Sequence, residues 1–431
     1  MPPFRRRLAL PRDLPGDVFA MAGVALCVAL GFGVVAPAIP LFATQFGVGA
    51  TLAGAVVSAF ACLRFLSGLA AGRLSDFLGE RTALMLGLIV VAISSLIAGL
   101  AQSYPQLIVL RGVGGIGSAI FGIGAMGLVL RAAGKRMRGR AISIYRSGFL
   151  VGGIAGPALG GAVLGISLRA PFFLYAGTLG IATVVALIFV TKPASPSGTA
   201  TTREIGADDA DAADAPDARA DADLADGNAP DRSVRELLRT PEYQTALLTN
   251  LAVGLTVLGV RSTAVPLLMV DSLHVAPGWV GIAFVSSAIV QTALMLPAGR
   301  FVDTAGRRAA ILIGTTVSAA GLVLLALGGS LTMVLIAMGV FGAGAAFLGS
   351  APGALVGDMV GQRTGTVIAI FNMASDLGAV AGPVLAGWLI DTGSFPAAFG
   401  MAAAVVLAAG LLGLRLPRGR PQRGDKTLNA T

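Results

Sequence analysis

The sequence predicts an all-α membrane protein of twelve transmembrane helices built as two six-helix pseudo-repeats. Three observations predict it. Of 431 residues 55% are hydrophobic and only 12% charged, and the mean hydropathy of +0.83 exceeds that of a soluble domain of average composition. Twelve apolar runs each come close to the length of about 20 residues that a helix needs to cross a bilayer. The second six runs repeat motifs of the first six at a nearly constant offset.

In chain order, residues 1–17 form a basic segment ahead of the first bundle, 18–190, whose spans are read at 18–40, 49–71, 82–101, 106–130, 141–165 and 171–190. The apolar run after "MPPFRRRLAL" is longer than that of a signal peptide, so it reads as span 1. Residues 191–242 read as a disordered acidic linker, because the Ala-, Asp- and Pro-rich stretch 195–231 holds ten acids against Arg203 and Arg219. The second bundle, 243–416, has spans at 243–268, 277–298, 309–328, 331–353, 365–390 and 396–416, and a basic tail, 417–431, follows.

Basic residues set the orientation, since Lys and Arg stay on the cytoplasmic side. With both termini cytoplasmic, the outer loops hold Arg169 and no other Lys or Arg, while Arg73, Arg81, Arg131, Arg140, Arg300, Arg307 and Arg308 fall inside with both basic ends. The linker's −8 leaves +17 for the rest of a chain whose total is +9. Charges that anchor loops at an anionic leaflet account for this basic balance without a nucleic acid as partner. Cys27 and Cys62 fall in spans and read as apolar packing residues, and His274 falls in an outer loop.

The repeat is explicit in three places. "GRLSDFLGER" at 72–81 is matched by "GRFVDTAGRR" at 299–308, "GGIAGPALGG" at 152–161 by "GAVAGPVLAG" at 378–387, and "RGVGGIG" from 111 by "MGVFGAG" from 338, at offsets of 227, 226 and 227 residues. The chain is therefore read as a tandem duplication of a six-span unit. In the last pair Met338 stands where the first copy has Arg111.

With Gly72, Leu74, Ser75, Asp76, Gly79 and Arg81 in a GxLSDxxGxR pattern, the chain resembles the major facilitator superfamily over essentially its whole length. Phe77 and Glu80 depart from the usual basic positions of that signature. Gly152, Gly156, Pro157, Gly160 and Gly161 resemble the antiporter motif of the family's twelve-helix proton-linked drug exporters, as do Gly31, Pro37 and Pro40 in span 1 and Arg111, Gly115 and Gly117 in span 4. The resemblance implies a proton-coupled secondary transporter of the plasma (inner) membrane, working by alternating access as a monomer and without a cofactor.

Each motif also has a physical reading. The span 5 glycines, with Gly382 and Pro383 of the weaker copy, offer a flat face for close helix approach, expected to act as a gating seam between two rocking bundles. The loop with Gly72, Asp76, Gly79 and Arg81 is expected to turn tightly at Gly79, with Asp76 bonding Arg81 or capping a helix N-terminus. By resemblance it is a latch on the cytoplasmic side, and Gly299, Asp303, Arg307 and Arg308 are its counterpart.

Embedded charges are costly and mark function. The spans contain Arg64, Arg111, Arg146, Arg261 and one acid, Asp376. Arg64 and Arg146 lie near the cytoplasmic ends, where their stems snorkel, and read as structural. Because the repeat tolerates Met338, the Arg111 charge is not needed for packing; in the resembling exporters this arginine is linked to proton coupling. Asp376, near the midplane, reads either as a proton site or as half of a fixed ion pair, with Arg261 as the candidate partner. By resemblance spans 1, 4, 7 and 10 line the cavity, which makes Asn250 a candidate substrate contact beside Arg111 and Arg261; Gln291 and Asn372 are further candidates.

The favoured expectation is proton-driven export of small lipophilic compounds, drugs included. A transporter of the same fold for a specific metabolite, such as an organic anion or a sugar, is the alternative, supported by the excess of embedded arginines. A sensor or assembly partner that moves no solute would need an appended folded domain or decayed motifs. No phosphate-binding loop, metal-ligand cluster or nucleophile–base set can be placed, so neither an enzyme nor an ATP-driven pump is expected.

Overall fold

The computed structural model describes residues 15–190, 234–359 and 364–417. The first fourteen residues, most of the acidic linker and all of the basic tail beyond Pro417 therefore lie outside the described residues. The linker's final residues are helical: the short turn Val234–Leu237 precedes the seventh span, and Leu237 is buried against a cluster that includes Tyr243 and Val302.

Among the described residues twelve helices are long and apolar enough to cross a membrane. They are α1 (Gly16–Thr44), α2 (Ala50–Leu78), α3 (Glu80–Gly99), α4 (Tyr104–Ala132), α5 (Gly139–Leu164), α6 (Ala170–Phe189), α7 (Pro241–Ser272), α8 (Gly278–Ala305), α9 (Arg307–Ala326), α10 (Leu331–Gly357), α11 (Val367–Thr392) and α12 (Phe395–Gly413). In lipid no water satisfies a free backbone amide, so each crossing is helical and irregularities have local causes. The path of α1 breaks at Ala36 and Pro37, and α7, which carries Pro266, winds into π-helical turns at Gly254–Val260 and Leu268–Ser272.

Two helices run past their expected ends. The spans read at 49–71 and 277–298 continue as helix to Leu78 and Ala305, so most of the expected loop motif is the last two turns of α2 and of α8. Only Gly79 and Gly306 leave the helix, at φ of 80° and 94°, a region that favours glycine. Asp76 consequently sits in the last turn of α2 and caps no helix N-terminus.

Both halves are assembled by the same close approaches. A Cβ on Gly115 of α4 would collide with the Phe60 carbonyl of α2, and a Cβ on Gly342 of α10 with the Ser287 carbonyl of α8. Each position is 227 residues from its counterpart. Apolar contact with a neighbouring helix has little advantage over contact with lipid, so this backbone proximity supplies much of the packing gain.

An even number of crossings puts the start of α1, the start of α7 and the end of α12 on one side, called here the terminus face. Near the opposite face the bundles meet along two seams. A Cβ at Gly54 of α2 would overlap the Pro383 carbonyl of α11, and one at Gly281 of α8 would overlap Gly161 and crowd the Pro157 carbonyl of α5. Toward the terminus face, Gly68 and Gly72 of α2 and Gly299 of α8 have no foreign atom within 4 Å of an added Cβ. The bundles are thus closed together at one end and apart at the other.

Candidate functional site

Between the bundles lies a cavity of about 740 Å³. Its walls combine the aromatic rings of Phe32, Phe60, Phe149, Tyr145, Tyr175 and Phe284 with four charged residues, Arg64, Arg111, Arg261 and Asp376. Both bundles contribute: α1, α2, α4, α5 and α6 from the first, α7, α8 and α11 from the second.

Asp376 of α11 is ion-paired with Arg64 of α2, so the pair joins the two bundles inside the cavity. The expected partner, Arg261, is elsewhere: it hydrogen-bonds the Ser287 hydroxyl at 3.3 Å, with its guanidinium 5.1 Å from the Phe284 ring centre and 5.7 Å from that of Phe341. The expectation that the Arg64 stem snorkels to the cytoplasmic end is not met. Arg64 lines the cavity, and its guanidinium pairs with Asp376 instead of reaching toward the end of α2. Arg146 is exposed on α5 and does not line the cavity.

Arg111 is 3% exposed. Its guanidinium lies over the Phe60 ring, 4.6 Å from the centre, and among the described residues it makes no hydrogen bond or ion pair, with Nε buried and unpartnered. Of the polar candidates, Asn372 lines the cavity. Asn250 does not, since its amide donates to the Phe371 carbonyl of α11 at 2.6 Å; Gln291 is half-buried outside the lining.

The span 5 motif divides. Gly152, Gly156 and Gly160 receive α1, each with an added Cβ blocked by backbone between Leu26 and Val34, so that stripe works within one bundle. Gly161 and the Pro157 carbonyl, one position on, face α8 of the other bundle. The second copy divides alike: Gly378 and Gly382 pack on α7, while Pro383 and Gly387 face α2.

At the terminus face Arg81 donates to the Leu187 carbonyl at 2.8 Å, which satisfies the end of α6 rather than Asp76. Asp76 is exposed and without a hydrogen bond or ion pair among the described residues. Glu80, one of the two departures from the signature, pairs with Arg131 at 2.6 Å. In the second bundle Arg307 pairs with Asp358 at 2.7 Å and more loosely with Asp303 at 3.8 Å, and Arg308 donates to the Leu416 carbonyl at 3.1 Å.

Sequence reasoning missed the Arg64–Asp376 pair and the aromatic wall. The approach of α2 to α11 did have a signal: Gly54 and Ser58 stand one turn apart, and small residues mark a face that approaches another helix, as the Ser58 hydroxyl does in donating to the Val380 carbonyl at 2.6 Å.

The family model described as Major Facilitator Superfamily matches residues 21–263 and 247–430. Curated relatives include the Quinolone resistance protein NorA of Staphylococcus aureus, 28% identical over 169 residues, and Multidrug resistance protein 1 of Bacillus subtilis, 26% identical over 164. Each match takes in 38% of this chain and 42% of the relative's length. A bacterial homologue of the human lysosomal transporter Spinster, solved inward-facing and occupied, superposes with a TM-score of 0.70 at 15% identity, over 92% of this chain and 95% of the other.

Proposed function

Because this chain belongs to the Major Facilitator Superfamily, a family of transporters rather than enzymes, we propose that it is a proton-driven exporter of small lipophilic compounds in the plasma membrane. The observation that carries this reading is the Arg64–Asp376 pair, which bridges the two bundles within an apolar, aromatic cavity. A proton on Asp376 neutralises the carboxylate and releases Arg64, loosening the α2–α11 contact that must part when the cavity changes sides. The named drug-resistance relatives support the lipophilic substrate class.

Orientation follows from charge. On the terminus face stand Arg73, Arg81, Arg131, Arg140, Arg300, Arg307 and Arg308, against Arg169 on the other, which supports a cytoplasmic terminus face. Substrate then loads from the cytoplasm or inner leaflet. The exposed, unengaged Asp76 suits a latch that closes only when the cavity turns outward, with Asp303, Arg307 and Arg308 as its counterpart. The seam of Gly161, Pro157, Pro383 and Gly387 would open in the same step.

The test is uptake of fluorescent lipophilic compounds into inverted membrane vesicles carrying a proton gradient, with and without an uncoupler, for the native protein and Asp376→Asn. Native protein should accumulate compounds only with the gradient, and the variant, at equal protein level, should lose that accumulation. Accumulation that survives the uncoupler, or none of any compound, would overturn the reading.

A further inference from the structure

The cavity has more positive charge than its own acid can answer. Among the described residues Arg64, Arg111, Arg261 and Asp376 line it, and with Arg64 held by Asp376 two cations are left. Arg261 has one hydroxyl, Ser287. Among the described residues Arg111 has none, and its Nε is buried without a partner while it is 3% exposed. An arginine presents five donors in a fixed fork, and a buried donor without a partner is costly, as is a buried charge with no counter-charge.

Packing does not require these charges. Met338, the counterpart of Arg111, is fully buried among the same glycine approaches, so the helix pair forms without a guanidinium. Yet the second bundle places a cation there from a different helix. Arg261 of α7 reaches Ser287, the counterpart of Phe60 at an offset of 227, and Phe60 is the residue over which Arg111 lies. Each bundle therefore holds one guanidinium beside the same repeat position, over an aromatic ring and at the cavity wall.

We propose that the substrate is an amphipathic organic anion whose carboxylate or sulfonate is received by Arg111, with Arg261 as the second cationic post and the aromatic wall against its apolar body. A cationic compound would meet two uncompensated positive charges in a low-dielectric cavity, and a neutral one would leave both charges uncompensated. An anion answers them, and the planar fork matches a carboxylate with two parallel hydrogen bonds. This deepens the transporter reading above and rests on it for the word substrate.

One fluorophore in three charge states tests it. Dansylglycine, its neutral amide and a dansyl quaternary ammonium are titrated onto the purified full chain in lipid nanodiscs, native and Arg111→Met, Arg111→Lys and Arg261→Met. The native protein should bind the acid about tenfold more tightly than the amide, with the ammonium weakest. Arg111→Met should bring acid and amide within about twofold, Arg111→Lys should keep part of the preference, and Arg261→Met should reduce it less than Arg111→Met. Equal native binding of acid and amide, or a preference that survives in Arg111→Met, overturns the proposal. The native charge series needs no variant, so misfolding cannot rescue it. Vesicle uptake of the same three probes separates the two readings. Arg111-dependent preference for the acid without uptake of any probe sinks transport alone, and uptake of the amide and ammonium but not the acid sinks the anion alone.

Discussion

Asp391, at the end of α11, caps the first turn of α2 in the other bundle through Thr51. Its carboxylate accepts from the Thr51 amide at 2.8 Å and the Thr51 hydroxyl at 2.5 Å, and from the Ala50 amide at 2.8 Å. A helix N-terminus leaves amides unbonded and carries partial positive charge, so an anion there is doubly favoured. The other seam has no equivalent, since the counterpart of Asp391 at an offset of 226 is Gly165. Among the described residues the closure at the opposite face thus has a carboxylate cap at one seam and glycine approaches at the other.

Asp391→Asn keeps the shape and removes the charge. Hydrogen bonds to charged groups contribute about 1.5–3 kcal/mol, and this site is exposed, so closure should weaken by about 1 kcal/mol. Spin labels at Gln45 and Ser394, both exposed at this face, should report a larger population of long distances in the variant. An unchanged distribution would show that the cap does not govern the closure.

The steric side makes the sharper prediction. A Cβ at Gly54 or Gly281 would overlap backbone of the opposing bundle, and backbone cannot rotate aside, so Gly54→Val and Gly281→Val should each hold the opposite face open and abolish transport. Overpacking of this kind costs about 1–3 kcal/mol. Gly122→Ala is the control, because that glycine lines the cavity yet has open space around it. A Gly281→Val protein that still closes, by the same labels, would remove the seam from the mechanism.

Glu80 with Arg131 and Arg307 with Asp358 occupy repeat-equivalent positions, 227 residues apart, with the signs exchanged. What the fold asks for is a pair of opposite charges, in either order. Glu80→Arg alone should lower the unfolding temperature by opposing Arg131, and adding Arg131→Asp should recover it. The effect is small, below about 1 kcal/mol, because Arg131 is 59% exposed. Failure of the double variant to recover would mean that Glu80 does more than pair.

Much of this fold is legible in the sequence, since hydropathy measures what a bilayer demands and the repeat confirms each span by its twin. The misread ends of α2 and α8 have a physical cause. Arg73, Asp76, Arg300 and Asp303 lower the hydropathy of turns that are nonetheless helical, because hydropathy reports what lipid demands and not whether a turn is helix. The cavity was half legible: Arg111, Arg261, Asp376 and Asn372 reach it. Asn250 could not be sorted, because whether an amide faces the cavity or a neighbouring carbonyl depends on helix rotation, which α7 alters by π-helical turns.

The repeat suggests the substitution that probes the central pair. Gln291 is the counterpart of Arg64 at an offset of 227, so Arg64→Gln places a side chain that this fold already accepts. It removes the cation from Asp376 and leaves a carboxylate in the cavity with no ion partner, whereas Asp376→Asn leaves Arg64 unanswered. Either single change should destabilise by about 1–2 kcal/mol, less than for a fully buried pair, because the side chains are 34% and 26% exposed. If the two act as a pair, the double variant should lose less than the sum of the singles, by about 1 kcal/mol in unfolding free energy. Strict additivity would mean that the ion pair does not hold α2 to α11, and the release of Arg64 could then not be the event that frees the bundles.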